Sequence, residues 1–272
     1  MITLNSIDTG KISVDRIAFY RSCLLAALLI LCLSFAEAQA APENGPKSVA
    51  KSTPAPNSAA DSAPQAPPIF QSTDRVLAYY GPAVRAKLKA LFAAQSIAYP
   101  PRAMTWIALK EEKQLMLFAK NKTGAYKQVL SYPIIGTSGV AGPKLKEGDK
   151  QVPEGFYKIA GFRPNLVAHI GMDVSYPNAA DKAHAQAENR RNLGCDILIH
   201  GSKWSTGCLA MGNEPIEEMF VLAHDVGTQN IALIFAPCNL LYAAPAVNFK
   251  KQPAWLRDLY RELRSEMSRY PI

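Results

Sequence analysis

From Ile69 onward the apolar residues of this chain fall into two rhythms, one helical and one alternating. Val76, Leu77 and Tyr80 follow the potential capping residues Ser72, Thr73 and Asp74, which predicts a helix ended by Gly81-Pro82. Val84, Leu88, Leu91 and Phe92 recur at helical spacing and predict a second helix to about Ala94, stopped by Tyr99-Pro100-Pro101. The rhythm then changes. Met104–Lys110 and Leu115–Lys120 flank the polar turn Glu111-Glu112-Lys113 and read as a β-hairpin, with Tyr126–Ile135 as a third strand. Residues 136–155 are polar and carry glycines, which predicts a long loop. Phe156–Phe162 and Leu166–Val174 are two further strands, and 178–190 form a polar helix. Asp196–His200 is a short apolar strand. Asn213 is placed to cap a helix over Glu214–Val226 whose buried side carries Ile216, Phe220, Leu222 and Ala223, and Ile231–Phe235 is a late strand. Pro253 to about Tyr270 alternates acidic and basic groups, as a solvated covering helix does. Helices, then many short strands, then a strand–loop–helix and a final helix predict a β-rich α+β domain around one core.

The first forty residues follow another logic. Residues 1–21 are polar and include Lys11, Arg16 and Arg21; an apolar run extends from Leu24 to Phe35; Ala36-Glu37-Ala38-Gln39-Ala40 then offers two small-x-small cleavage sites. This is the order of a secretory signal peptide. The run is short of the ~20 apolar residues that span a bilayer, so an uncleaved anchor is the competing expectation. Residues 41–68 are rich in Ala, Pro and Ser and poor in large apolar groups. They predict a disordered tether, because such a stretch cannot offset its ordering entropy. The organisation expected is therefore 1–40 signal peptide, 41–68 tether, 69–97 helical extension, 98–240 β-rich domain and 241–272 helical extension. Hydrophobic residues make up 49% and charged residues 19% of the 272, which excludes a wholly disordered protein. Cleavage after Ala40 would leave Cys195, Cys208 and Cys238 in an oxidising compartment. Cys195 precedes one strand and Cys238 follows another, so a disulfide between them is one expectation. The odd count still leaves a free thiol.

The chemistry is concentrated between Ile197 and Met211. His200 ends a buried strand, a loop with two glycines follows, and Cys208 stands at its far end before a helix. If the loop folds back, His200 faces Cys208. Attack needs a thiolate, whose free pKa is about 8.5; a neighbouring imidazole can take the proton and hold the pair as ions. Gly207 permits a sharp turn, and the amides of Thr206, Gly207 and Cys208 would point at a developing oxyanion, with Ser205 donating into the same site. A buried structural cysteine beside a satisfied histidine is the bland alternative. A metal site from His200, Cys208 and Cys195 or His184 lacks ligand spacing, and no cofactor is expected.

His200-Gly201 followed by Ser205-Thr206-Gly207-Cys208 resembles the signature of the L,D-transpeptidase (YkuD-type) family, in which His-Gly, a spacer and Ser-His-Gly-Cys recur. The short spacer, together with Tyr99-Pro100-Pro101, Gly142-Pro143-Lys144-Leu145, Pro153-Glu154-Gly155-Phe156-Tyr157 and Tyr176-Pro177-Asn178, is similar to the YafK-like branch, over roughly 98–237. The resemblance implies a β-rich L,D-transpeptidase-like catalytic domain with flanking N- and C-terminal helices, a periplasmic location, and peptidoglycan stem peptides as substrate. It implies Cys208 as nucleophile, His200 as general base, and the backbone at Gly201 and Ser202 as a guide for the imidazole. An acyl-enzyme on diaminopimelate would pass to an amine, or to water, the latter releasing protein attached to the wall. A third possibility is a non-catalytic wall-binding module.

Two positions depart from the family pattern. Thr206 replaces the second histidine, and Ala210 stands where many members carry an arginine. Lys203 or Arg190 could then hold a substrate carboxylate, Trp204 could stack on substrate, and Asn178 and Asp181 could line the groove or cap a helix. His169 and His184 are expected to be structural or exposed. The net charge of +8 suits an anionic partner, here the wall or a wall-attached lipoprotein and not nucleic acid. Lys144, Lys146, Lys150 and Lys158 are the candidates, with ordinary solvated lysines as the favoured expectation.

Overall fold

A computed structural model describes residues 68–272; the expected signal peptide and all of the expected tether except Pro68 lie outside the described residues. The described part is α+β. Eight strands form one mixed sheet in the order β3-β2-β1-β8-β4-β5-β6-β7. They are β1 (Met104–Leu109), β2 (Gln114–Lys120), β3 (Tyr126–Pro133), β4 (Gly155–Leu166), β5 (His169–Val174), β6 (Leu198–His200), β7 (Leu209–Ala210) and β8 (Ile231–Ala236). Four helices accompany them: α1 (Thr73–Ala94), α2 (Ala179–Ala187), α3 (Asn213–Val226) and α4 (Leu256–Met267).

The β1–β2 hairpin forms where the sequence predicts it, with Met104 opposite Ala119 and Leu109 opposite Gln114. β1 is buried along its whole length because β8 runs parallel on its other side and both sheet faces are covered. Side chains alternate between two cores. Trp106, Leu115, Leu117, Leu233 and Phe235 face α1 and α3, whereas Ile107, Met116, Phe118 and Ile234 face α4. β4 joins the two halves of the sheet. Gly155–Lys158 pair with β8, and Ile159–Leu166 pair with β5 through two register shifts. The β4–β5 turn therefore lies at Val167-Ala168, several residues later than the sequence predicts.

Three helices differ from expectation. α1 is one helix and not two, although Pro82 lies inside it. A proline removes one backbone hydrogen bond. Here the burial of Val76, Leu77, Leu88 and Phe92 on a shared face, and a two-pronged Arg85–Asp225 ion pair to α3, outweigh that loss. α3 begins at Asn213 with Gly212 as its cap, so the Asn213 side chain is free for another task. α4 covers the sheet as predicted but is solvated on one side only: Leu256, Tyr260, Leu263 and Met267 form a buried stripe at helical spacing.

Candidate active site

β6 and β7 run parallel at the end of the sheet, with Ile199 beside Leu209 and His200 beside Ala210. Ile199 and Leu209 are fully buried in the core. Alternation then turns Leu198, His200, Cys208 and Ala210 to the other face, so His200 and Cys208 share a side of adjacent strands. The Leu198 N–H points at Cys208 Sγ at 3.3 Å, and the Cys208 thiol lies 3.4 Å from the Asp196 carbonyl oxygen, to which it donates. His200 is buried, and its Nδ1 lies 2.6 Å from the Gly201 carbonyl oxygen. A carbonyl only accepts, so Nδ1 carries the proton and Nε2 of the neutral ring keeps its lone pair.

Burial sets the charge state of both groups. It pushes the Cys208 thiol up to about 11; the Leu198 N–H and Lys144 counteract this, while Asp196 and Asp173 reinforce it. Burial also lowers the His200 pKa below its ordinary value, against the Gly201 hydrogen bond. The resting pair is therefore thiol and neutral imidazole. This corrects the expected ion pair, which the site is too dry and too acidic in its surroundings to hold.

The loop between the strands is held by hydroxyls. The Gly207 N–H donates to Ser138 Oγ at 2.7 Å, and Ser138 donates in turn to the Lys150 carbonyl at 2.7 Å. The Cys208 N–H donates to Ser205 Oγ at 2.9 Å, and Ser205 donates back to the Cys208 carbonyl at 2.7 Å. The amides of Gly207 and Cys208, expected to be open for an oxyanion, are thus occupied, and Ser205 turns back on its own loop. Thr206 is exposed. Gly207 has φ +95°, a backbone that favours glycine. A Cβ on Gly201 would stand 2.8 Å from the Ala168 carbonyl. Ser202 is tied by its N–H to Asn213 Oδ1 at 2.9 Å, the use α3 makes of its unspent asparagine.

The remaining candidates separate. Trp204 is 57% exposed, with its ring 6.3 Å from that of His200. Lys203 is exposed. Asn178 and Asp181 form the reciprocal capping box of α2, and Tyr157 donates to Asp181 Oδ1. Arg190 binds Glu188 and the Leu145 carbonyl. Lys146, Lys150 and Lys158 are exposed, but Lys144 is not an ordinary solvated lysine: it is buried against Asp149 at 2.6 Å. His169 pairs with Glu217, and His184 stacks on Trp255. Cys238 is a free, buried thiol, so the Cys195–Cys238 disulfide does not form.

Sequence reasoning missed two supports. Ser138 lies in the long loop and carried no local signal. Lys110 donates to Glu154 and to the carbonyls of Gly142 and Val152, while Tyr260 of α4 donates to the other Glu154 oxygen at 2.6 Å. Glu154 stood in one of the branch motifs, which was the available signal.

Residues 105–231, which contain His200 and Cys208, match the model of the YkuD L,D-transpeptidase catalytic domain. This segment is similar to the L,D-transpeptidase catalytic domain. Over 114 residues the chain is 39% identical to the protein named "Putative L,D-transpeptidase YafK" of Escherichia coli K12; the match covers 41% of this chain and 43% of that one. The chain thus spans less than half the length of that relative. Among solved structures it is similar to the helical cell shape determining protein Pgp2 of Campylobacter jejuni (19% identity, TM-score 0.41, covering 73% of this chain and 77% of that one). It is also similar to Bd1075 of Bdellovibrio bacteriovorus (19% identity, TM-score 0.37, covering 64% and 58%). L,D-transpeptidase domains act on peptidoglycan stem peptides.

Proposed function

We propose that this chain is a cysteine-dependent L,D-transpeptidase that works outside the cytoplasm, where the signal-peptide pattern of residues 1–40 would send it. The observation that carries the reading is that His200 ends β6 and Cys208 immediately precedes the paired strand β7, with the His200 Nδ1 engaged by the Gly201 carbonyl. The thiol is protonated at rest, so deprotonation accompanies attack. His200 Nε2 takes the thiol proton as Sγ bonds to the diaminopimelate carbonyl carbon. The peptide C–N bond then breaks, and the departing amine takes the proton from His200. An acceptor amine next gives a proton to His200, forms the new amide and expels Cys208 as thiolate, which recovers the proton.

The test is mass spectrometry of the full chain incubated with a diaminopimelate tetrapeptide, and of muropeptides from treated sacculi bearing attached lipoprotein. An acyl adduct on wild type, absent from Cys208→Ala, with new diaminopimelate cross-links, is the expected result. Released lipoprotein without cross-links would replace transfer with hydrolysis. Activity surviving in Cys208→Ala would overturn the nucleophile.

A further inference from the structure

A concave site lies against the 142–151 loop. It has a volume of about 570 Å³, within the range of small-ligand pockets, and it is lined by that loop, the segment after α2 and the segment entering α4. Four cations reach its wall: Lys146, Arg190, Arg191 and Lys251. The acid in its lining is Asp149, and its charge is already spent. Burial would raise its pKa, but the Lys144 ion pair and the N–H groups of Lys146, Gln151 and Leu145 together hold it below the usual carboxylate range. Arg190 is balanced by Glu188. Among the described residues, Lys146, Arg191 and Lys251 form no ion pair with an acid. The cavity therefore holds a surplus of positive charge.

Its position gives that surplus a use. Gln151 lines the cavity and also borders the nucleophile loop, since its carbonyl oxygen lies 3.4 Å from where a Cβ on Gly207 would stand. The Gln151 backbone thus borders both the cavity lining and the residue before Cys208. Lys251 lies beyond the 105–231 segment that matches the family, so this wall is supplied by the chain's own C-terminal extension. Ala210 leaves no cation beside Cys208 on β7 itself.

We infer that the Lys146–Arg191–Lys251 cavity binds a carboxylate of the peptide whose carbonyl Cys208 attacks. Guanidinium and ammonium groups without acidic partners hold a carboxylate through charge-assisted hydrogen bonds. The inference rests on the peptide-acylation reading of Cys208, and the experiment separates the two.

Binding of the diaminopimelate tetrapeptide, and of the same peptide with every carboxyl converted to carboxamide, is measured by calorimetry on the full chain. The same measurement is made on the Arg191→Gln/Lys251→Gln double variant. Both side chains are exposed, so folding is retained. The acid peptide is expected to lose about ten-fold in affinity in the variant, while the amide peptide binds both proteins alike. Equal affinity of the acid peptide for both proteins, or no binding to wild type, overturns the inference. Intact mass read in parallel gives the separation. Charge-dependent binding without a Cys208 adduct sinks the acylation reading and leaves the site. An adduct formed at the same half-saturating peptide concentration in both proteins does the reverse.

Discussion

His200 Nδ1 lies 2.6 Å from the carbonyl oxygen of Gly201, the residue that follows it. A histidine that donates to its own strand end has its tautomer chosen before substrate arrives. Among the described residues no side chain is hydrogen-bonded to the ring, and Thr206, which stands where the family pattern has a second histidine, is exposed. The backbone therefore takes the orienting role, and Gly201 holds it in a space where a Cβ would meet the Ala168 carbonyl.

A thiol raised to about 11 reacts slowly at neutral pH. Iodoacetamide should label Cys208 more slowly in the folded chain than in urea at pH 7, and the folded-state rate should climb with pH towards about 11. Peptide-resolved mass spectrometry of timed samples reads this. Cys238, pushed up to about 12 by its own burial, is an internal comparison. A Cys208 rate already level at pH 7 would mean a preformed thiolate.

Removing the base should act on chemistry more than on fold. His200→Gln is expected to slow acylation about 10²–10⁴-fold, the usual range for general-base catalysis. The His200 pKa lies below its ordinary value, so the acid limb of the wild-type rate should fall below pH 6.5. The same depression bears on stability. Below about 6.5 the unfolded chain takes up the proton more readily than the buried ring, so this contribution, present above that pH, is lost as pH falls. Urea midpoints at pH 7 and pH 5 should differ less in His200→Gln than in wild type.

The legible parts of this molecule are those written in neighbouring residues. The β1–β2 hairpin and the strand ending at His200 follow from local alternation and the polar turn between the hairpin's strands. What escaped depends on partners far along the chain. Pro82 reads as a stop until Arg85 meets Asp225 from α3. Asn213 reads as a cap until Ser202 claims its side chain. Lys144 reads as solvated until Asp149 folds over it. Ser138 is one serine among many until Gly207 turns its N–H towards it. The charge states of Cys208 and His200 are not legible in the sequence for the same reason, because burial is a property of the assembled sheet.

The Lys110–Glu154 pair is nearly inaccessible to solvent, with side chains 5% and 0% exposed. Breaking one member of a buried pair leaves the other uncompensated, at about 3–5 kcal/mol. Glu154→Gln should fall in that range by urea denaturation. Adding Lys110→Met should recover part of the loss, because the unpaired ammonium is gone. A double variant weaker than the single one by a further few kcal/mol would show instead that Lys110 acts mainly through the Gly142 and Val152 carbonyls.

The solvated and buried sides of α4 should respond differently. Leu263→Ala removes a fully buried side chain from the core facing α4 and should cost about 2–5 kcal/mol. Arg261→Ala, on the exposed side, should stay within about 0.5 kcal/mol. Paired thermal melts decide it, and equal shifts would contradict the buried stripe.

Ser138 joins the long loop to the nucleophile by one hydroxyl that accepts from Gly207 and donates to Lys150. Ser138→Ala leaves a half-buried N–H and a carbonyl without that partner, worth about 1–3 kcal/mol. If the hydroxyl only supports the fold, acylation per folded molecule stays constant while the melting temperature falls. If it holds Cys208 at the distance His200 requires, acylation falls further than stability, and Ser138→Thr, which keeps the hydroxyl, restores both. The second outcome is expected, because Gly207 is the residue immediately before the thiol and its N–H is held by the Ser138 hydroxyl. Single-turnover acylation set beside melts of the same three proteins reads the difference.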